Sequence, residues 1–252
     1  MFTRAITRTP SRSYVNGITT ANLGSPDYDL VLEQHRAYCE ALKGLGLDVT
    51  TLSPEEEYPD ATFVEDTAVV TPEFAVITNP GHAARQGEEK TIEPVLAQYR
   101  TLERIQGDGT LDGGDILMVE KHFYIGQSDR TNMEGAEQLG RIVEKYGYTY
   151  DIIPVGAGLH FKSSVNYIGK NTVLVTEDFA GHETMSKFTE IVVAPEEEYA
   201  ANCLLINDSL IVPKGFEKTL GQISGLGLDI IELDVSEFRK MDGGLTCLSL
   251  RF

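Results

Sequence analysis

Apolar residues recur along the chain as pairs of short runs, and two or three turn-forming residues separate the members of each pair. Runs of β-branched and aromatic residues on both sides of a tight turn are typical of β-hairpins. The pattern predicts four hairpins, formed by residues 67–71 with 74–78, 116–119 with 122–125, 164–168 with 172–175, and 203–206 with 209–212.

The segments between the hairpins carry apolar residues at an approximately helical spacing. They predict helices over residues 28–45, 92–99, 135–146 and 216–223. A further short strand follows in each unit, over residues 48–52, 101–105, 149–155, 191–194 and 229–235. The unit is therefore strand–strand–helix–strand, repeated five times at a period of about 40–50 residues, which is typical of radial arrays and solenoids.

The last predicted strand, residues 245–252, has no partner after it in the chain. Pairing with an N-terminal strand around residues 2–7 would form a fifth hairpin, and this pairing favours a closed ring over an open array. No linker and no shift in composition divides the sequence. We therefore expect one α/β domain over residues 1–252.

The chain has 252 residues and a formal net charge of −18. Nucleic acids and anionic membranes attract basic proteins, so this charge argues against both as partners and suits a small cationic substrate. No apolar run approaches the ~18 residues of a membrane span, and the first ten residues lack the apolar core of a signal peptide. Three cysteines without a CxxC pair fit a reducing compartment, so we expect a cytoplasmic protein.

Candidate chemistry begins with Cys247, which follows two glycines in the segment Met241-Asp-Gly-Gly-Leu-Thr-Cys247. A second Asp-Gly-Gly holds Asp112, and His160 lies between them in sequence, after the glycine-rich loop 155–158. A thiol, an imidazole and a carboxylate are the components of a cysteine-nucleophile site. Cys247 also fits a buried core cysteine, and Asp112 and Asp242 also fit ordinary turn residues.

Charged residues cluster near the predicted hairpins. Glu65 and Asp66 stand at the start of a buried strand, where acidic side chains need partners, and Asp60 lies upstream in the same loop. Arg85 and Arg130 follow hairpins and suit bidentate capture of a carboxylate, although they also fit scaffold ion pairs. Carboxylates for a cation and arginines for an anion describe a zwitterion with a guanidinium tail.

Several catalytic classes lack their motifs. The sequence has no Walker loop, no GxGxxG and no HExxH, so phosphate, dinucleotide and zinc-hydrolase chemistry has no support.

Five separated motifs resemble the dimethylarginine dimethylaminohydrolase family, which belongs with arginine deiminases and amidinotransferases. They are Phe63-Val-Glu-Asp66, Leu111-Asp-Gly-Gly-Asp115, Gln127-Ser-Asp-Arg-Thr-Asn132, Leu159-His160 and Met241-Asp-Gly-Gly-Leu-Thr-Cys247. The resemblance covers essentially the whole chain. It implies a five-bladed α/β propeller of ββαβ modules with pseudo-fivefold symmetry, in agreement with the repeat count.

The resemblance also implies roles for individual residues. Cys247 would attack the guanidinium carbon, His160 would be the general acid and base, and Asp112 would orient His160. The substrate would be a small cationic guanidino amino acid, bound by Leu23, Asp60, Glu65, Asp66, Arg85, Arg130 and Asp242. Asp66, with Glu65 nearby, would hold the guanidinium, the two arginines the substrate carboxylate, and Asp60 its α-amino group.

The implied reaction is hydrolysis of Nω-methylated arginine to citrulline and an alkylamine, through a covalent S-alkylthiouronium on Cys247. It needs no cofactor and no metal. An arginine deiminase, a hydrolase of another guanidino compound, an amidinotransferase and a non-catalytic binder stay open as alternatives, although deiminases and amidinotransferases resemble longer chains. The protein would be a monomer or a homodimer.

Overall fold

The computed structural model describes residues 1–156 and 159–252. Its strands are β1 Arg4–Arg8, β2 Asp48–Leu52, β3 Ala68–Val70, β4 Phe74–Ile77, β5 Thr101–Arg104, β6 Ile116–Val119, β7 His122–Gln127, β8 Thr149–Pro154, β9 Val165–Gly169, β10 Thr172–Val175, β11 Thr189–Val192, β12 Leu204–Ile206, β13 Ser209–Pro213, β14 Asp229–Leu233 and β15 Leu250–Arg251. Its helices are α1 Tyr28–Gly44, α2 Glu89–Leu96, α3 Met133–Lys145, α4 Phe161–Ser164, α5 Glu217–Ile223 and α6 Ser236–Arg239.

The described strands form five sheets of three strands, with orders β15-β1-β2, β3-β4-β5, β6-β7-β8, β9-β10-β11 and β12-β13-β14. In each sheet, in the order given, the middle strand is antiparallel to the first strand, which we call the inner strand, and parallel to the third, the outer strand. A parallel pair needs a crossover connection, and helices α1, α2, α3 and α5 supply it in four of the sheets. These five modules confirm the predicted α/β propeller architecture.

Five buried apolar clusters hold the ring together, and each lies between two neighbouring sheets. Ile6 and Leu250 of the first sheet, for example, share a cluster with Ala75 and Ile77 of the next. The predicted pairing of the chain ends is confirmed, because β1 pairs with β15 through Ala5–Arg251 and Ile6–Leu250. The ring therefore closes by side-chain packing at each junction between sheets and by pairing of the two chain ends within the first sheet.

The turn between β12 and β13 contains a residue type that suits its backbone conformation. Asn207, in the turn between β12 and β13, has a φ of 54°, in the left-handed region that asparagine tolerates better than most residues. Its side chain also joins two sheets, because it accepts a hydrogen bond from the Phe2 N–H at 2.7 Å.

Three predictions about elements are wrong in part. The segment 245–252 is not one strand: a 3-10 turn covers Thr246–Leu248 and the strand is limited to Leu250–Arg251. Leu245 and Leu248 are buried at a spacing of three residues, and a short apolar run does not distinguish such a turn from a strand.

A helix is expected in every module, but among the described residues the crossover from β10 to β11 has no α-helix. The crossover from β10 to β11 contains two 3-10 turns, Glu177–Phe179 and Glu183–Met185. Gly181 between them has a φ of 72°, which interrupts helical backbone. Element limits also shift: α2 begins at Glu89 rather than 92, and β11 covers Thr189–Val192 rather than 191–194, because apolar spacing marks a face and not its ends.

Among the described residues, no helix has both the length and the apolar character that a bilayer crossing requires.

Candidate active site

Short helical turns precede the five inner strands and bring the candidate residues to one end of the ring. The turn Val64–Thr67 carries Glu65 and Asp66, and the turn Thr246–Leu248 carries Cys247. Asp112 and His160 are the residues that precede the turns Gly113–Asp115 and Phe161–Ser164. The modules therefore present their functional side chains at equivalent positions, around the axis of the ring.

The second glycine of each Asp-Gly-Gly segment lies so close to neighbouring side-chain atoms that a Cβ would not fit. A Cβ on Gly114 would lie 2.5 Å from Nδ1 of His160 and 2.8 Å from Oδ1 of Asp66. A Cβ on Gly244 would lie 2.5 Å from Oδ1 of Asn202. Since real Cβ atoms do not come this close to another heavy atom, a larger residue would displace the groups of the site.

His160 is buried against carboxylates. Its Nε2 lies 3.0 Å from Oδ2 of Asp112 and 3.9 Å from Oδ1 of Asp66. Burial by itself disfavours the imidazolium, but the charge of Asp66, the bond to Asp112 and the charge of Asp115 outweigh it and raise the pKa of His160 to about 9. His160 is therefore protonated at neutral pH and can donate a proton.

Cys247 is partly buried, and its Sγ accepts a hydrogen bond from the Gly244 N–H at 3.4 Å. Burial together with the charges of Glu65 and Asp66 raises the pKa of the Cys247 thiol to about 12, against the opposing effects of Gly244 and Lys162. The Cys247 thiol is therefore neutral at neutral pH, and a cation beside it would favour the thiolate.

Asp66 and Arg85 form a buried ion pair, with Arg85 Nη1 2.5 Å from Asp66 Oδ2, and the Gly114 N–H donates to Asp66 Oδ1 at 2.8 Å. Burial disfavours the Asp66 carboxylate, but His160 and Arg85 outweigh it and lower the pKa of Asp66 to about 2. Arg85 also donates to Glu88, whose pKa burial raises to about 7. Much of the Arg85 guanidinium is therefore already engaged.

Asp60 and Arg130 complete a narrow cavity of about 30 Å³ that also borders Asp66, Arg85, His160 and Cys247. The Asp60 carboxylate accepts the Ile18 N–H at 3.2 Å, and burial raises the Asp60 pKa although Arg85 opposes the shift. Arg130 Nη1 lies 3.9 Å from Oδ2 of Asp112. Acidic and basic groups suited to an amino acid thus face one small space.

A larger cavity of about 410 Å³ lies beside the narrow one and shares Leu159, His160, Asp242 and Cys247 with it. Leu23 borders only the larger cavity and is 48% exposed. Asp242 borders both cavities, and its Oδ2 accepts the N–H and hydroxyl of Thr20 at 2.6 and 3.0 Å. Asp242 therefore ties the loop before Leu23 to the site.

All ten predicted site residues border one of these two cavities except Asp112, which lies directly behind His160. The predicted glycine-rich loop 155–158 falls partly outside the described residues, at positions 157 and 158. Glu65 differs from the other carboxylates, because its partners are Lys162, Arg251 and Thr246.

Sequence reasoning missed four residues of this region. Ile18 borders the narrow cavity, and no pattern in the sequence marks it. Lys162 and Arg251 contact Glu65, and Lys162 stands only two residues after His160. Asp115 belongs to the same sequence motif as Asp112, which could have identified it. Its carboxylate accepts hydrogen bonds from the hydroxyls of Ser128 and Thr131 and from the Phe161 N–H, and so fixes the turn after His160.

Within residues 1–156 and 159–252, one group of side chains is close enough to hold a metal ion. Asp66, Asp112 and His160 each offer an atom within 4.8 Å of the others. A cation there would have to compete with Arg85 for Asp66 and with the proton of His160.

Comparison with known proteins places this geometry in a family. The sequence model described as "N,N dimethylarginine dimethylhydrolase, eukaryotic" matches residues 26–193. The chain is 44% identical to the N(G),N(G)-dimethylarginine dimethylaminohydrolase of Pseudomonas aeruginosa, with complete coverage of both chains. It is 34% identical to the enzyme of the same name from Streptomyces coelicolor, over 98% of this chain and 96% of the relative.

Solved structures of members of this family and of a related enzyme share the fold of this chain. The Pseudomonas aeruginosa enzyme, as a cysteine-to-serine mutant in complex with citrulline, superposes with a TM-score of 0.98 over the full length of both chains, at 44% identity. The N-terminal domain of ArgZ, an arginine dihydrolase from cyanobacteria, shares the fold with a TM-score of 0.89 at 17% identity, covering 100% of this chain and 98% of that domain. This chain therefore belongs to the dimethylarginine dimethylaminohydrolase family.

Proposed function

We propose that this chain hydrolyses Nω-methylated arginine, either asymmetric dimethylarginine or monomethylarginine, to citrulline and an alkylamine. One observation carries the proposal: a thiol, a protonated imidazole and paired carboxylates meet at one cavity system, next to acidic and basic groups that suit an amino acid. The proposal also agrees with the activity that names its relatives.

The charges around the narrow cavity favour a cationic ligand. Five buried carboxylates lie in or behind it against three cations, so the formal charge of these eight groups is negative. We name this group the acidic cluster, and its members are Asp60, Asp66, Glu88, Asp112, Asp115, Arg85, Arg130 and His160. Asp66, which borders the narrow cavity, would hold the guanidinium, and Asp112 would orient His160 from behind. Arg130, assisted by Arg85, would bind the substrate carboxylate and Asp60 the α-amino group.

Attack begins with the thiol of Cys247. Binding of a guanidinium beside the sulfur offsets the carboxylates that raise the thiol pKa, so the thiol releases its proton to solvent. The thiolate adds to the guanidinium carbon and forms a C–S bond. His160 then donates its proton to the alkylated nitrogen, the C–N bond breaks, and the amine leaves.

Hydrolysis of the covalent intermediate reuses the same groups. His160 is now neutral and accepts a proton from a water molecule, which adds to the S-alkylthiouronium carbon. The C–S bond breaks, citrulline forms, and the second proton of the water returns to the sulfur. The larger cavity, which borders both Cys247 and His160, offers space for the departing amine and the incoming water.

One assay tests the proposal. The protein is incubated separately with asymmetric dimethylarginine and with arginine, and citrulline, dimethylamine and ammonia are quantified. We expect equimolar citrulline and dimethylamine from the first substrate. Citrulline from arginine alone would identify a deiminase, and folded protein that releases no citrulline from either would contradict a hydrolase.

We also propose that residues 1–252 form one domain, supported by the five junction clusters that link every sheet to its neighbours. A cytoplasmic location is proposed from Cys39, Cys203 and Cys247, which are all free thiols. Analytical ultracentrifugation would separate the two proposed assembly states, a monomer and a homodimer.

A further inference from the structure

Glu65 and Asp66 are adjacent in sequence, yet their carboxylates belong to different networks. Asp66 faces Arg85 and His160. Glu65 Oε1 lies 2.7 Å from Lys162 Nζ and 2.9 Å from Arg251 Nη2, and Glu65 Oε2 accepts the Thr246 hydroxyl at 2.8 Å. Glu65 is 3% exposed, and both of its oxygens have partners within the protein.

The partners of Glu65 form a wall between two cavities. Glu65, Lys162 and Thr246 border the cavity of about 410 Å³ that holds Cys247. The same three residues, with Arg251, border another cavity of about 190 Å³, whose other walls include Leu117 and Leu204 of the inner strands. We name Glu65, Lys162, Arg251 and Thr246 the partition.

The partition and its neighbours hold the turn that carries Cys247. Arg251 Nη1 donates to the Thr246 carbonyl at 2.9 Å, and the Tyr38 hydroxyl donates to the Leu245 carbonyl at 2.9 Å. The Thr246 N–H donates to Oδ1 of Asn202 at 3.1 Å. A three-residue 3-10 turn has little internal hydrogen bonding of its own, so these external bonds determine where the sulfur lies.

Three of the four partition residues also lie within two positions of a proposed reacting group in the chain. Thr246 precedes Cys247, Glu65 precedes Asp66, and Lys162 follows His160 by two residues. A shift of the Glu65 carboxylate would therefore displace the nucleophile, the guanidinium ligand and the acid–base group relative to one another.

We propose that the partition is a positioning network for Cys247, and that Glu65 acts as its centre rather than as a ligand of the substrate guanidinium. The inference rests on the proposed role of Cys247 as the nucleophile. It changes the role expected for Glu65 from sequence resemblance, because two cations and a hydroxyl already occupy three of the about four acceptor positions of its carboxylate.

Thr246→Val and Thr246→Ser form the first test. Valine keeps the shape and removes the hydroxyl that binds Glu65, whereas serine keeps the hydroxyl. We expect Thr246→Val to lower kcat by about 10–100-fold with KM within about threefold of wild type, because misplacement of a reacting group costs rate rather than binding. Thr246→Ser should restore kcat to within about threefold. A wild-type kcat in Thr246→Val, or an effect on KM alone, would overturn the proposal.

Glu65→Gln gives a readout that loss of structure alone does not predict. Because the charge of Glu65 raises the thiol pKa and Lys162 opposes it, removal of that charge lowers the thiol pKa. We expect folded Glu65→Gln to react faster with iodoacetamide at Cys247 at pH 8, yet to turn over more slowly. Peptide mass spectrometry gives the alkylation rate, and circular dichroism confirms the folded state.

Glu55→Gln is the matched control, since Glu55 pairs with buried Arg8 at 3.3 Å and borders neither cavity. Glu55→Gln should change neither the alkylation rate of Cys247 nor the rate of turnover. A raised KM with an unchanged kcat in Glu65→Gln would return Glu65 to guanidinium binding and overturn the proposal. If wild type itself releases no citrulline, the proposed function fails, whereas the alkylation rates still test the partition.

Discussion

The acidic cluster and the partition are two buried ion-pair networks beside the same sulfur, and they differ in the sign of their formal charge. The acidic cluster has five carboxylates against three cations, whereas the partition has Glu65 against Lys162 and Arg251. Buried charges without partners are costly, so an excess of carboxylates favours a cationic ligand. Only the acidic cluster therefore has an excess of negative charge that a cationic guanidinium would offset, whereas the partition has an excess of positive charge and does not favour a cation.

The largest expected effect comes from the residue between the two networks. Cys247→Ser should lower turnover of asymmetric dimethylarginine by at least about 10³-fold, as removal of a nucleophile does in other enzymes. Calorimetry should show that the substrate still binds, because the acidic cluster is unchanged. Substantial turnover by this variant would place the nucleophile elsewhere.

Asp112→Asn removes a carboxylate from the acidic cluster and should lower kcat by about 10²-fold, the scale of acid–base catalysis. Asp112 is one of the groups that raise the pKa of His160 to about 9. Because the protonated imidazole is the acid that releases the amine, activity should be present below that pH and fall as the pH rises through it.

In Asp112→Asn the alkaline fall in activity should move to lower pH, and a pH profile of kcat measures the shift. An alkaline limb that does not move would contradict the assignment of His160 as the general acid. The same measurement on Glu65→Gln serves as a contrast, because Glu65 belongs to the partition and not to the partners of His160.

The two arginines of the acidic cluster should separate binding from stability. Arg130→Ala should raise KM by about 10–100-fold with little change in kcat, the value of a lost charged hydrogen bond. Arg85→Met should in addition destabilise the fold by about 3–5 kcal/mol, because it leaves Asp66 and Glu88 buried without their cation. Steady-state kinetics and urea unfolding measure the pair, and equal stability of both variants would contradict the distinction.

The smallest effect is expected at the buried thiol outside both networks. Cys203 borders the cavity behind the partition, and its thiol donates to the Ala200 carbonyl at 3.2 Å. Cys203→Ala should leave kcat/KM within about twofold and lower stability by about 1–2 kcal/mol, as loss of a small buried group does. A larger loss of activity would mean that the far cavity influences the reaction.

Repetition in the sequence predicted the ring well. The paired apolar runs identified the hairpins, and the unpaired strand at each end of the chain identified their pairing, because strand pattern and turn chemistry are local properties. The apolar pattern did not identify the 3-10 turn at Cys247, because a short apolar run fits a turn as well as a strand, nor the two 3-10 turns on either side of Gly181, whose φ of 72° apolar spacing does not reveal.

The sequence predicted which residues form the site better than it predicted which residues they contact. The motifs placed His160, Asp112 and Asp66 together, and in the structure both carboxylates lie within 4 Å of Nε2 of His160. The motifs did not reveal that the carboxylates of Glu65 and Asp66 contact different cations, because the direction of each side chain depends on cations from distant parts of the chain. Lys162 and Arg251, which decide it, come from positions 97 and 186 residues away from Glu65.

The central claim is that Cys247 forms a covalent intermediate with the guanidinium carbon, and trapping that intermediate tests it most directly. Wild-type protein is mixed with asymmetric dimethylarginine, quenched in acid within the first turnover, and digested for mass spectrometry. We predict a mass gain equal to the substrate less dimethylamine, located on the peptide that contains Cys247. Citrulline production with no adduct on that peptide, together with an active Cys247→Ser variant, would contradict the account.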